Sequence, residues 1–348
     1  MIPVAVCVIF LSGMNQVPVM TSSDAVLEEM RSRVRTDRRA TVVLGYVTSW
    51  SEELPDPFSV THLSYAFATI DDDFKSLTIK NESRFKEIAA LKNSNPRLKV
   101  LLSIGGWGAG NFSEMASDTT CRSDFIRHVA SLVEEYGIDG VDIDWEFPGS
   151  SQGKISSSKN DRGNFTKLIR QLRDALGSDR VISFASPSYG IYYDYQALMP
   201  YVDFVNIMTY DISVPPRHHA PLDRSELTGR ICVKDVIANH FRNGVPANKM
   251  VIGIPFYGRG NQSDYKNFED YRYIRPIPGT ERRFDSVAVA PYIADAQTGE
   301  LLISYDDTVS IKAKCRLVNE IGARGVMFWH YCGDKDGQLL QSIRSSLK

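Results

Sequence analysis

The sequence lacks the features that a membrane-spanning or nucleic-acid-binding protein needs. Beyond the N-terminal region, no stretch of 18 or more residues is continuously apolar, so we expect no transmembrane span there. The 40 Lys and Arg residues against 42 Asp and Glu residues give a formal net charge of −2, which provides no basic field for nucleic acid. No internal repeat is evident.

Cysteine and histidine are also sparse, and their spacings are not those of metal ligands. The five cysteines contain no CxxC pair, and their odd number and scattered positions are not typical of a disulfide scaffold or a zinc site. The five cysteines still allow one disulfide bridge, but the spacing does not assign its partners. The six histidines show neither HExxH nor a mixed His and Cys pattern. We therefore expect no metal and no cofactor.

The first 40 residues form a lead-in that contains a segment similar to a signal peptide. Residues 3–11 are apolar and precede Ser12 and Gly13, but no Lys or Arg comes before them, so the positive n-region is missing. Cys7 stands too early for a lipid-anchor cysteine. The pattern favours export, and we predict a secreted or cell-envelope protein. Residues 21–39 are charged and predict a helical or loose connection.

Eight short apolar runs alternate with helical patterns along residues 41–348. The runs are residues 41–50, 61–70, 98–107, 138–146, 180–188, 201–211, 249–259 and 324–331, and the main helical patterns are residues 123–136, 164–176, 233–243, 309–321 and 336–347. Most runs are continuously apolar, which is typical of parallel strands covered by helices. The sequence therefore predicts an α/β fold, a (β/α)8 TIM barrel that forms one catalytic domain over residues 41–348.

One interval is longer than a simple strand-to-helix connection. Residues 260–304 separate the seventh and eighth runs and combine strand signals and turn residues with aromatic residues such as Tyr265, Phe268 and Tyr271. A long mobile loop is the alternative, but the aromatic density is against it. We predict a small β-rich insertion at the top of the barrel.

The run from Asp139 to Glu146 concentrates acidic residues inside an apolar segment. On a strand, Asp142, Asp144 and Glu146 face one side, with successive Cα atoms roughly 6.5–7 Å apart. Carboxyl groups that close do not all ionise, so at least one should keep its proton at neutral pH, as a general acid must. An acidic loop or a hard-cation site is the alternative. The apolar neighbours and the free-energy penalty of burying three carboxylates favour a functional site.

Several further residues stand where the active site of a (β/α)8 enzyme lies, at the C-terminal ends of the strands. They are Gly105, Gly106 and Trp107 in the third run, Glu146 in the fourth, Met208, Thr209, Tyr210 and Asp211 in the sixth, Tyr257, Gly258 and Arg259 in the seventh, and Trp329 in the eighth. Each has a structural alternative, such as a core position for Trp329 or a surface ion pair for Arg259. Their placement at one end of the barrel predicts a single site.

These motifs together resemble glycoside hydrolase family 18, the chitinase family. The resemblance rests on the SIGG sequence that ends at Gly106, the DGxDxDxE pattern that ends at Glu146, the MTYD sequence that ends at Asp211, and Gly258 with Arg259. It covers residues 41–348. The insertion resembles a short form of the chitinase insertion domain, and no separate carbohydrate-binding module is expected. His330 is an unusual neighbour of Trp329 for this family.

The resemblance implies hydrolysis of β-1,4 bonds beside N-acetylglucosamine with retention, in which the acetamido oxygen of the substrate is the nucleophile. Glu146 would protonate the leaving oxygen and later activate water. Asp144 would orient the acetamido group and stabilise the oxazolinium ion, and Asp142 would share a proton with Asp144. Asp139 faces the other side of the strand and would be structural.

The remaining roles follow from the same resemblance. Tyr210 would donate a hydrogen bond to the acetamido carbonyl, and Asp211 would bind and bend the sugar. Trp329 would form the floor beneath that sugar, because an aromatic face packs well against C–H groups. The neighbouring binding positions would be lined by Tyr46, Trp107, Met208, Tyr257 and Arg259.

An endo-acting chitinase is therefore the expected function, with chitin or N-acetylglucosamine oligosaccharides as the partner. One alternative is an endo-β-N-acetylglucosaminidase that acts on N-glycans, but enzymes of that kind usually lack the insertion. Another is a chitin-binding lectin without activity, but such relatives usually lose the acid, and Glu146 is present. The sequence predicts neither an oligomeric state nor a preferred chain length.

Overall fold

Eight parallel strands close a barrel within residues 22–34, 40–261 and 269–348, which are the residues that the computed structural model describes. The strands of this part of the chain are β1 (Val42–Thr48), β2 (His62–Ile70), β3 (Leu77–Ile79), β4 (Lys99–Gly105), β5 (Gly140–Asp144), β6 (Val181–Ser186), β7 (Phe204–Ile207), β8 (Met250–Pro255), β9 (Tyr257–Gly260), β10 (Glu269–Asp270), β11 (Thr280–Asp285), β12 (Ala290–Asp295), β13 (Leu301–Ser304) and β14 (Gly325–Trp329). The order β1-β14-β8-β7-β6-β5-β4-β2 is parallel, and β2 closes the ring on β1. Each predicted run contains one barrel strand, so the predicted TIM barrel is confirmed.

Helices cover the outside of the barrel. They are α1 (Ser23–Ser32), α2 (Glu82–Ala90), α3 (Phe112–Ser117), α4 (Thr119–Glu135), α5 (Asp161–Leu176), α6 (Tyr195–Leu198), α7 (Val233–Arg242), α8 (Thr308–Ile321) and α9 (Gln338–Ser346). All five predicted helical patterns form helices. Local signals set their ends: the Asp307 side chain accepts the N–H groups of Val309 and Ser310 at the start of α8, and Gly322 ends that helix in the left-handed region at φ +66°.

Alternate side chains of each barrel strand belong to two different cores. In β1, Leu44 and Tyr46 pack inside the barrel, whereas Val43 and Val47 pack against the helices. This alternation follows from the two-residue repeat of a strand. Both faces are apolar because both are buried, which explains why the sequence shows continuous apolar runs.

A second sheet of five strands lies between the seventh and eighth barrel strands, in the order β10-β9-β13-β12-β11. Its pairings are antiparallel. It has a core of its own, formed by Ile274, Ile293, Ile303 and Tyr305. The expected β-rich structure is present in the described part of the insertion. Tyr265 and Phe268 lie outside the described residues.

The seventh barrel strand is shorter than the sequence predicts. The predicted run continued to Arg259, but β8 ends at Pro255, and the chain enters the second sheet as β9 after Phe256. Tyr257 and Arg259 are therefore carried by the second sheet, where β9 pairs with β10 and β13. The sequence shows one apolar run because both strands are largely buried.

The lead-in contributes one helix to the fold. Val26, Leu27 and Met30 of α1 are buried, and Arg31 forms an ion pair with Glu320 of α8 at 2.9 Å. The predicted signal segment and Cys7 lie outside the described residues. The other four cysteines are free thiols. No helix of the described ranges is long and apolar enough to span a membrane.

Candidate active site

A cleft of about 930 Å³ opens at the C-terminal ends of the barrel strands. It brings together ten of the eleven predicted site residues, namely Tyr46, Trp107, Asp144, Glu146, Met208, Tyr210, Asp211, Tyr257, Arg259 and Trp329. The eleventh, Asp142, lies beneath the cleft and is fully buried in the barrel interior. These ten side chains come from six barrel strands (β1, β4, β5, β7, β8 and β14) or from the segments that follow them, so the residues meet only in the closed barrel.

The acidic run descends from the cleft into the barrel. The strand β5 ends at Asp144, so the prediction that Glu146 ends this strand is wrong: Glu146 lies two residues beyond it. Asp142 is fully buried, Asp144 nearly so, and Glu146 half-buried. Trp145 points to the helix layer, where its ring stacks on Phe112 with 5.2 Å between centroids. The peptide bond between Glu146 and Phe147 is cis.

The backbone of β4 comes so close to the acidic run that it requires a glycine at the point of contact. Gly105 at the end of β4 has φ +120°, and a Cβ atom there would lie 2.2 Å from the carbonyl oxygen of Asp144. An alanine could not be accommodated without moving the backbone of the acidic run. Gly105 therefore allows β4 to pack against β5.

Four donors surround the carboxylate of Asp142. Oδ2 accepts hydrogen bonds from Tyr46 Oη at 2.7 Å and Ser103 Oγ at 2.9 Å. Oδ1 accepts from Ser183 Oγ at 2.7 Å and Asn206 Nδ2 at 3.0 Å. Burial raises the pKa of Asp142, and these four hydrogen bonds oppose that rise. Tyr46, which the sequence placed at a neighbouring binding position, thus also contacts the acidic run directly.

Asp144 and Glu146 share an environment that holds protons. The pKa of Asp144 is raised well above its usual range, mainly by burial and also by the charges of Glu146 and Asp142. The pKa of Glu146 is raised to about 8, mainly by burial and also by the charge of Asp211. Oδ1 of Asp144 is buried and has no hydrogen-bond partner among the described residues. A carboxylic acid that remains protonated at neutral pH can donate a proton to a substrate.

Asp211 is held in the opposite state. Burial raises the pKa of Asp211, but the His219 and Arg259 side chains lower it more, and the result lies well below the usual range. Arg259 contacts both carboxylate oxygens, with Nε 2.6 Å from Oδ1, and His219 Nδ1 lies 3.3 Å from Oδ1. The backbone of Asp211 is left-handed, at φ +53°. The cleft therefore places an ionised carboxylate near a protonated one.

Aromatic rings line the cleft beside these carboxyl groups. The Trp329 ring lies 5.6 Å from the rings of Tyr46 and Phe67 and is stacked on the latter. Tyr210 Oη lies 3.7 Å from the sulfur of Met327. Trp107 is 65% exposed at the rim. Flat apolar faces with polar groups at their edges suit a sugar, which has C–H faces and hydroxyl edges.

The structure adds cleft residues that the sequence analysis did not single out. They include Trp50, Phe67, Lys80, Gln152, Tyr189 and Tyr192 in the lining, and His219 behind Asp211. Trp50, 63% exposed, lies two residues beyond the end of β1, so the strand-end rule could have found it. No sequence signal marks His219, because it lies in a long loop. Among the described residues, no group of His, Cys, Asp and Glu could hold a metal ion.

Asp139 lies on the outer side of the acidic run, away from the cleft. Its carboxylate contacts Lys92 Nζ at 2.8 Å and Lys99 Nζ at 3.0 Å and accepts the N–H of Val100 at 2.9 Å. These contacts join the start of β5 to β4 and to the turn that follows α2. Lys92, Lys99 and Val100, which Asp139 contacts, all lie outside the cleft lining.

The sequence and the fold of this chain are similar to those of known proteins. The profile of glycosyl hydrolases family 18 matches residues 42–334. Chitinase A1 of Niallia circulans is 29% identical over 84% of the chain and 48% of its own length, so the aligned region spans about half of that relative. Chitotriosidase-1 of Mus musculus is 28% identical over 88% of the chain and 78% of its own length.

Solved structures give the same result. A glycoside hydrolase family 18 N-acetylglucosaminidase from Paenibacillus barengoltzii superposes with a TM-score of 0.81 at 32% identity, over 88% of this chain and 100% of that one. The family profile covers most of the chain and includes every residue of the cleft named above. The chain therefore belongs to glycosyl hydrolases family 18, a family of glycoside hydrolases.

Proposed function

We propose that this protein is a chitinase that hydrolyses β-1,4 bonds between N-acetylglucosamine units of chitin or its oligosaccharides, with retention and with the substrate acetamido group as nucleophile. The observation that carries the proposal is the place of Glu146 in the lining of an aromatic cleft, where burial and the charge of Asp211 raise its pKa to about 8. A buried acid next to an ionised Asp211 and a proton-holding Asp144 suits an enzyme that cleaves by acid catalysis.

In this mechanism Glu146 gives its proton to the glycosidic oxygen as the C1–O bond breaks. The acetamido oxygen of the same sugar attacks C1 and forms an oxazolinium ion. Water then attacks C1, the C1–O bond to the acetamido oxygen breaks, and Glu146 takes the proton of the water. The burial that keeps Glu146 protonated in the free protein prepares it for the first step.

Asp144 lies between the acid and the barrel interior. Its raised pKa means that it holds a proton in the free protein. As that proton moves towards Asp142, Asp144 becomes a carboxylate that accepts a hydrogen bond from the acetamido N–H and lies beside the positive oxazolinium ring. The four hydrogen bonds that Asp142 accepts favour its ionised form, which can take up that proton. Tyr210, whose hydroxyl lies 3.7 Å from the sulfur of Met327, would donate to the acetamido carbonyl.

The cleft lining fits a neutral aminosugar chain. Trp329 would pack beneath the sugar at the bond that is cleaved, and Trp107 and Tyr46 would contact its neighbours. Arg259 and Asp211 form a fixed pair of opposite charge that can bind hydroxyl groups without adding net charge. A volume of about 930 Å³ accommodates several sugar units rather than one.

Two features bear on the alternatives. The second sheet favours chitin chains over N-glycans, since the resemblance links the insertion to chitinases. One structural relative is described as an N-acetylglucosaminidase, so release of single sugars is the alternative to endo-acting cleavage. A chitin-binding lectin is less well supported, because Glu146 and its raised pKa are present.

The proposal extends to organisation and location. We propose that residues 41–348 act as one catalytic unit with the insertion at 260–304 inside it, that residues 1–40 are a lead-in, and that the protein is secreted or held at the cell envelope. Chitinous material outside the cell would then be its substrate. No cofactor or nucleic-acid partner enters the mechanism.

The test is product analysis by mass spectrometry after incubation with N-acetylchitotetraose, for the parent protein and for Glu146→Gln. Release of disaccharide by the parent and none by the variant supports an endo-acting chitinase, and release of monosaccharide supports an N-acetylglucosaminidase. Full activity of Glu146→Gln contradicts the mechanism. Cleavage of a high-mannose glycoprotein, with the tetrasaccharide untouched, supports the N-glycan alternative.

A further inference from the structure

A chain of buried polar contacts runs from the second sheet to the cleft. Ser304, at the end of β13, accepts a hydrogen bond from the backbone N–H of His219 at 3.0 Å and lies 3.4 Å from Nδ1 of His218. His219 Nδ1 lies 3.3 Å from Asp211 Oδ1. Both histidines are fully buried. Their loop thus connects a strand of the inserted sheet to a carboxylate of the cleft.

The chemistry of the partners fixes where the protons lie. Burial lowers the pKa of His218 to about 4, so it is neutral at pH 7. Ser304 Oγ already accepts from the His219 backbone, so its own hydrogen can be donated to His218 Nδ1. Asp211 is ionised and can only accept, so Nδ1 of His219 must carry the proton between them.

A backbone hydrogen bond brings the two ends of the loop from Asp211 to His219 together. The N–H of Ile212, the next residue, donates to the carbonyl oxygen of His219 at 2.9 Å. The His219 ring also packs against Tyr257 of the cleft, with 5.4 Å between centroids. His219 therefore contacts the backbone beside Asp211, the Asp211 carboxylate and a cleft wall at once, without reaching the cleft lining itself.

We propose that His219 is a positioning residue: with Ser304 behind it, His219 holds the Asp211 carboxylate in the orientation that pairs with Arg259 and meets the sugar. Arg259 contacts Asp211 from the cleft, and His219 contacts it from the protein interior. These two contacts from different directions restrict the rotation of the Asp211 side chain. The role rests on the proposed function, because it concerns sugar binding by Asp211.

Two substitutions separate this role from a merely structural one. The amide nitrogen of asparagine can occupy the position of a histidine Nδ1, so His219→Asn keeps a donor towards Asp211, whereas His219→Leu keeps the size and removes the donor. Losing a hydrogen bond to a charged group should lower kcat for N-acetylchitotetraose about tenfold or more in His219→Leu, and His219→Asn should recover most of that loss. His62→Leu, at the opposite end of the barrel, is the control for losing a partly buried histidine and should leave kcat unchanged.

Equal losses of kcat in His219→Asn and His219→Leu, or no loss in either, would overturn the proposal. A second readout does not depend on the substrate. In ¹⁵N-histidine NMR spectra of the whole protein, the signal that disappears in His219→Asn should show a protonated Nδ1, and an unprotonated Nδ1 overturns the proposal. If the parent protein cleaves no chitooligosaccharide, the proposed function fails, and the NMR result alone decides the placement of His219 against Asp211.

Discussion

Replacing Glu146 by glutamine should make the folded protein more stable, and the gain should depend on pH. Burial and the charge of Asp211 raise the pKa of Glu146 from 4.5 to about 8. Above pH 4.5 the unfolded chain loses this proton while the folded protein keeps it, so folding becomes less favourable as pH rises, up to the folded-state pKa, and then stays constant. Glutamine carries no proton to lose, so the variant escapes this loss of stability.

The magnitude follows from the width of that window. Each pKa unit corresponds to about 1.4 kcal/mol, so the stability difference between Glu146→Gln and the parent should grow by about 2–3 kcal/mol from pH 5 to pH 7. In thermal denaturation this growth is roughly 5 °C in Tm. Glu52→Gln, at an exposed position, is the control and should show no such growth. A Tm difference that stays constant between pH 5 and pH 8 would refute the assignment of a buried, protonated Glu146.

Three further predictions test other parts of the site. Because Glu146 must be protonated to act as an acid, kcat/KM, which reports the free enzyme, should fall on the alkaline side near pH 8; a kcat/KM that stays level to pH 10 would contradict this. Tyr46→Phe removes a 2.7 Å hydrogen bond to buried Asp142 and should lower the free energy of unfolding by about 1–3 kcal/mol, measured by denaturation. Trp329→Ala should weaken oligosaccharide binding about tenfold or more by calorimetry, in the Glu146→Gln background; an unchanged Kd would exclude it as a sugar platform.

The barrel was predictable because its signals are local and repeated. Every predicted run contains a strand, and the helical patterns fit their helices to within a few residues. The acidic run was informative because carboxylates in an apolar strand are costly without a function. Its alternation predicted that Asp142 and Asp144 share a face, and the strand β5 places Asp144 in the cleft lining with Asp142 beneath it.

The sequence could not predict the parts that depend on distant contacts. The four donors around Asp142 come from four different strands, and serine, tyrosine and asparagine in those positions have no recognisable spacing. The end of β8 was missed because Tyr257 and Arg259 continue an apolar run into a different sheet. His219 was missed because only the folded loop brings it to Asp211.

The central claim is that the acetamido group of the substrate, and not water, makes the first attack on C1 after Glu146 gives its proton. The most direct test is ¹H NMR of the first product released from N-acetylchitotetraose, recorded before the anomers equilibrate. Retention requires that the new reducing end appears as the β-anomer and converts slowly to the mixture. Initial formation of the α-anomer would show inversion by direct attack of water and would contradict the account.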